Sequence, residues 1–177
     1  MKNNLVFMPR LLSKFMAFMF VFLISGNTIH AQLITDVKTK AEVQQMLKKQ
    51  QTLAAGRSRQ LFDVLKSPLT ADEKQALEYL YAYLPLSDLA DYNGDFFLQQ
   101  VKAVLKARNE MKWGKSVPED IFLHFVLPSR INNENLDPFR VVMYDEIKKR
   151  VEGMNMHDAA LEVNHWCHEK VNYRGTD

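Results

Sequence analysis

Four residues near the end of the chain, His157, His165, Cys167 and His168, are of the types that hold zinc or activate a thiol nucleophile. Either chemistry requires them to converge on one point. On a helical wheel at about 100° per residue from Ala159, the residues Ala159, Ala160, Val163, Trp166 and Cys167 fall between about −20° and +100°. His157, Asn164 and His168 lie near the opposite side, and His165 is apart from both. A His157 and His168 pair three turns apart does not close a tetrahedral site. A reactive thiolate is favoured at a helix N-terminus, where the macrodipole lowers its pKa. Near a helix C-terminus and on the apolar stripe, Cys167 is expected to be a buried, neutral thiol.

The remaining candidates are weaker. Asp91-Tyr92-Asn93-Gly94-Asp95 resembles the front of a calcium loop, but a loop of that kind needs glycine at its sixth position and a bidentate glutamate at its twelfth. Phe96 and Lys102 stand there, so a plain turn is expected. His124 lies within a very apolar stretch and is expected to be a hydrogen-bonded core histidine. Tyr79, Tyr81, Tyr83, Trp113 and Trp166 could line a groove or fill a core, and helical spacing does not separate the two. No catalytic, cofactor-binding or metal-ligating residue is assigned, and no cofactor is implied.

The elements that would position these residues read as helices. Thr39 to Leu53 carries a thin apolar stripe of Val43, Met46, Leu47 and Leu53, and Arg59 to Lys66 a second one before Ser67-Pro68; Gly56 is expected to break the chain between them. Thr70-Ala71-Asp72-Glu73 is a capping box. It opens a helix that presents Leu77, Leu80, Tyr81 and Leu84 and ends at Pro85. Phe97, Val101, Val104 and Leu105 define the next helix, closing near Arg108. Ser116-Val117-Pro118-Glu119 starts a short helix, apolar on nearly every side from Ile121 to Leu127 and therefore expected to be buried.

After a loop containing Asn132, Asn133 and Asn135, Asp137-Pro138 starts a helix with an apolar face of Phe139, Val142, Met143 and Ile147, closed by Gly153. Asn155 can cap the last helix, Met156 to about Lys170. Val171-Asn172-Tyr173 then reads as the beginning of an extended segment.

The first 31 residues contain Lys2, Arg10 and Lys14, no acidic residue, and the apolar run Phe15 to Ile24 ending toward Ala31. A basic start, a short apolar run and a small residue before the cut are the pattern of a secretory leader. The run is about half of the roughly 20 residues that a membrane helix needs. Cleavage is expected before Gln32, giving an exported chain that is periplasmic, cell-surface or extracellular and has no membrane span after cleavage. Removing 3 of the 23 basic residues leaves 20 against 21 acidic ones, a net charge of −1. The basic balance thus belongs to the leader, and no nucleic-acid partner is expected. With one cysteine, the chain has no internal disulfide and folds by packing alone.

From about Pro118 onward the sequence resembles bacterial exported proteins of the transglutaminase-like superfamily. The matching stretches are Pro118 to Pro128, Leu136-Asp137-Pro138-Phe139-Arg140, and Ala159-Ala160-Leu161-Glu162-Val163-Asn164-His165-Trp166-Cys167 with Val171-Asn172-Tyr173-Arg174. The resemblance implies a papain-like Cys-His-Asp triad that performs acyl transfer or amide hydrolysis on a polypeptide or cell-wall peptide. The glycine-flanked cysteine of that family is not found here, and Cys167 is not its counterpart. The expected organisation is therefore a leader at 1–31, a helical region at 32–153, and at 154–177 the first helix of an incomplete α+β transglutaminase-like domain. The class is mainly α, and the triad is expected from a reading frame that continues past Asp177. The competing reading is a self-contained helical envelope module that binds protein or glycan.

Overall fold

Thr70 opens a helix that is buried on several sides. Its hydroxyl accepts a hydrogen bond from the Glu73 N–H at 3.2 Å, and the Glu73 carboxylate accepts one from the Thr70 N–H at 2.8 Å. This is the reciprocal cap that the sequence expects. The computed structural model describes residues 32–54, 59–130 and 135–170. The leader, Gly56, Asn132, Asn133 and the stretch 171–173 lie outside the described residues.

The described chain is mainly α-helical. Its helices are α1 Val37–Ala54, α2 Arg59–Asp63, α3 Ala71–Tyr83, α4 Leu86–Asp91, α5 Gly94–Glu110, α6 Glu119–Ile121, α7 Phe139–Val151 and α8 Met156–Lys170. Val64–Lys66 and Gly114–Ser116 are 3₁₀ turns, and Phe122–Val126 winds as a π-helix. There is no strand among the described residues. The long helices meet in chain order: α1 packs on α3, α3 on α5, α5 on α7 and α7 on α8.

Helix α3 is buried far beyond the single face read from its spacing. Ala76, Leu77, Tyr81 and Ala82 are wholly covered, and Tyr79 and Leu80 nearly so. Helices α1 and α5 supply the covering surfaces through Val43 and Leu47, and through Phe97, Val101, Val104 and Leu105. The Tyr81 ring meets Phe62 and Phe97 edge-on at 5.5 and 5.7 Å, the preferred arrangement for aromatic pairs. On α1 the stripe is shifted from expectation: Leu53 is exposed, while Gln50 is buried and its amide donates to the Leu84 carbonyl at 2.9 Å. That carbonyl follows the last turn of α3, so a polar side chain here satisfies a helix end.

Asn93-Gly94 is a helix start and not a plain turn. The Asn93 side chain accepts from the Phe96 N–H at 2.8 Å, and Gly94 begins α5 pressed against α2. A Cβ at Gly94 would lie 2.8 Å from the Leu61 carbonyl oxygen. Helix α4, too short for its spacing to announce, precedes it and buries Asp88. The Arg130 guanidinium holds that carboxylate in a bidentate pair at 2.7 and 2.9 Å, which is how a buried charge becomes tolerable.

Two expectations about the apolar stretch after Pro118 fail. Phe122, Leu123 and Leu127 are buried, but Phe125 is 76 % exposed, and Ile121 and Val126 also face outward. His124 is exposed, and its Nδ1 lies 2.9 Å from the Tyr79 hydroxyl. The segment covers only one side of α3, so a helix that is apolar all round keeps half its surface in solvent.

Helices α7 and α8 form a hairpin beside the main core. Gly153, at φ +76°, makes the turn, a left-handed conformation that favours glycine. Asp137 accepts from the Phe139 N–H at 2.9 Å, and Asn155 caps α8 through the Asp158 N–H at 3.0 Å. Only Val151 on α7 and Ala159 and Trp166 on α8 are buried; Val142 and Leu161 are exposed. Polar contacts tie the pair. Arg150 reaches Glu162 at 2.7 Å and Glu169 at 3.0 Å, and Glu146 accepts from the Trp166 indole at 2.9 Å and from Lys170 at 2.9 Å.

The contrast between core and hairpin should show in stability. Leu77→Ala should lower the unfolding free energy by about 2–5 kcal/mol, whereas Leu161→Ala should change it by about 0.5 kcal/mol or less, measured by urea titration. Acid should also act unevenly. Hydrogen bonds from Trp166 and Lys170 hold the Glu146 carboxyl below its ordinary value of 4.5, and Arg150 does the same for Glu169. A depressed folded-state pKa gives stability that is present above 4.5 and lost as the pH falls through the folded-state values. The amide-exchange protection factors of α8 should therefore fall on acidification below pH 4.5, ahead of those of α3. An equal fall in both helices would contradict this.

Candidate functional site

The residues first considered for chemistry do not come together. No three His, Cys, Asp or Glu side chains form a metal-sized group among the described residues. Cys167 is exposed, contrary to expectation. The wheel explains why. Helix α8 has one long neighbour, α7, so its covered arc is narrow and centred on Ala159 and Trp166. Cys167 and Ala160, about 80–100° round from Ala159, fall outside it. His165 and His168 are exposed beside it, with His165 Nδ1 3.4 Å from Glu169. None of these contacts is a thiol–imidazole pair. Of the aromatic candidates, Tyr79, Tyr81 and Trp166 are buried and Tyr83 is exposed. Burial pushes the Tyr79 hydroxyl up to about 12, with the nearby Tyr83 adding to the shift.

Trp113 leads to a different place. It borders an apolar cleft of about 510 Å³ between α5, α7 and α8. Ala103 and Ala107 of α5 form one wall, Met143 and Ile147 of α7 another, and Ala159, Ala160 and Val163 of α8 the third. Three methionines, Met111, Met143 and Met156, contribute flexible, polarizable side chains. The size falls within the roughly 300–1,000 Å³ of small-molecule sites.

The chain matches no known protein family, no curated protein and no solved structure. The cleft must accordingly be judged by its own chemistry.

That chemistry is almost entirely apolar, with one exception. Among the described residues, Arg140 is the only charged one lining the cleft. Its guanidinium donates to the Leu127 carbonyl at 3.0 Å and to the Pro128 carbonyl, so it terminates the π-helical segment. No carboxylate among the described residues pairs with it, and burial lowers its pKa with no neighbouring charge contributing. Tyr144 turns its hydroxyl away to Glu110 at 2.7 Å. Sequence spacing placed Phe139, Met143 and Ile147 on one face but gave no sign that a cleft would remain beneath them. The signal that could have shown it is the run of small residues, Ala103 with Ala107 and Ala159 with Ala160, on helices that face α7.

The exposure of Cys167 has a direct consequence. A maleimide should label the native protein at neutral pH at a rate within about threefold of that for the urea-unfolded chain, as for any exposed thiol of ordinary reactivity. Protection by a factor of about a hundred or more would return Cys167 to the core.

Proposed function

We propose that the folded region is a non-catalytic binding module that holds an apolar ligand in the α5–α7–α8 cleft. The observation that carries this reading is the cleft itself, about 510 Å³ of apolar space inside a helical body. A thiol–imidazole pair, by contrast, is missing among the described residues. A glycan is a poor fit, because its hydroxyls would meet few partners on these walls, and unmade buried hydrogen bonds cost about 1–3 kcal/mol each. The neutral dye N-phenyl-1-naphthylamine should bind at one saturable site. Ala160→Trp, which places an indole at an exposed position on the wall, should weaken that binding at least tenfold and leave cooperative unfolding intact. Non-saturable binding, or no effect of the substitution, would remove the cleft from consideration.

A second reading rests on the resemblance to exported transglutaminase-like proteins. The observation that favours it is the unbroken helix Met156–Lys170 with Trp166 buried within it, the element that the resemblance places at the entrance of the catalytic domain. On this reading the module is the front of a cysteine-dependent acyl transferase or amidase whose triad lies outside these residues. Its substrate would be a polypeptide or a cell-wall peptide, and the leader would direct export. The natural exported product should begin at Gln32 and exceed in mass what residues 32–177 account for. The 177-residue chain alone should neither hydrolyse nor transamidate glutamine-containing peptides. Activity from this chain alone, or an intact mass that stops at Asp177, would defeat this second reading and leave the first in place.

A further inference from the structure

The chemistry of the cleft narrows its occupant to one ligand class, an inference that rests on the binding reading. The cleft offers a long apolar surface and one cation. An extended peptide inserted there would carry an N–H and a carbonyl at every residue, and the walls have almost nothing to pair with them. A peptide helix satisfies its own backbone, but it is about 10–12 Å across. Helix α7 already packs against both α5 and α8, so the space between them is too narrow for another helix. A single flexible hydrocarbon chain has neither difficulty.

Arg140 decides what the chain should carry. A guanidinium taken out of water is costly unless an anion accompanies it. Here two backbone carbonyls accept from it, leaving other N–H groups of its five-donor fork uncommitted. The ionised groups close by are already engaged with each other. Lys148 is paired with Glu110, and Lys106 lies 3.8 Å from Asp145 and over the Tyr144 ring at 4.3 Å. Each of these cations has a carboxylate of its own, and Arg140 is the one charged residue among the described residues lining the cleft.

We propose that the cleft binds a long-chain fatty acid, its carboxylate paired with Arg140 and its tail lying along Ala107, Met143, Ile147 and Val163. Carboxylate and guanidinium match in planar, two-pronged geometry. The methionines let the walls adjust to the tail.

Displacement of N-phenyl-1-naphthylamine from the folded chain tests this, with palmitate, methyl palmitate and an amphipathic helical peptide as competitors. Palmitate should displace the dye at one equivalent, with methyl palmitate at least tenfold weaker. Arg140→Gln should weaken palmitate at least tenfold and leave the methyl ester unchanged. Because losing the carbonyl contacts of Arg140 can itself impair folding, Ala160→Trp serves as the second variant. It keeps Arg140 and should weaken both ligands together.

Equal displacement by acid and ester would overturn the carboxylate assignment, as would indifference of palmitate to Arg140→Gln. Displacement by the peptide but not by palmitate would overturn the fatty acid while sparing the binding module. A dye that never binds saturably would remove the module and the fatty acid together.

Discussion

Helix α3 must be covered on almost every side, and that requirement organises the molecule. A helix with one apolar stripe needs one partner; a helix with Ala76, Leu77, Tyr81 and Ala82 all sealed from water needs several. Helix α1 answers on one flank and α5 on another, and Phe122, Leu123 and Leu127 add further cover. The alanines matter as much as the large side chains, since they let neighbouring helices come close. Gly94 does the same for α5, where a backbone carbonyl of α2 occupies the space a side chain would need.

The α7–α8 hairpin obeys a different balance. Few of its side chains are sealed, and its cohesion comes from charged and polar contacts: Arg150 between two glutamates, and Glu146 between an indole and an ammonium. Solvent weakens such contacts, which contribute little individually. Small residues on α5 and α8 face a helix whose own apolar residues do not reach far enough to fill the gap. The cleft is thus the remainder of an incompletely packed joint between a tightly filled core and a loosely attached pair of helices.

Much of this was legible from residue order. The capping box at Thr70, the Asn155 cap, the Gly153 turn, the extents of α3 and α8 and the close of α5 follow from local chemistry that operates within a few residues. What was not legible depends on distant parts of the chain. Cys167 and Ala160 share the apolar arc of α8, but how wide an arc is covered depends on how many helices arrive there. His124 sits in a stretch that looks like core because it is apolar all round, yet its outer side faces solvent. Gln50 looks like a surface residue until the end of α3 is brought beside it. Arg140 joins the cleft lining only once α7 is laid against α5 and α8, which spacing within α7 does not report.

The first described residues are fastened in a way that bears on how the domain carries load. Leu33 and Ile34 are buried, the Ile34 N–H donates to Gln75 at 2.9 Å, and Thr35 gives both its N–H and its hydroxyl to the Glu119 carboxylate at 2.9 and 2.6 Å. Tension applied at Gln32 would therefore reach α3 and α6 through these bonds before it could peel α1 away. Three bonds and two sealed side chains within three residues would yield together and not one at a time. Such a clamp would act as a mechanical stop, resisting extraction from that end while the α7–α8 hairpin, held mostly by polar contacts, remained the easier place to begin unravelling.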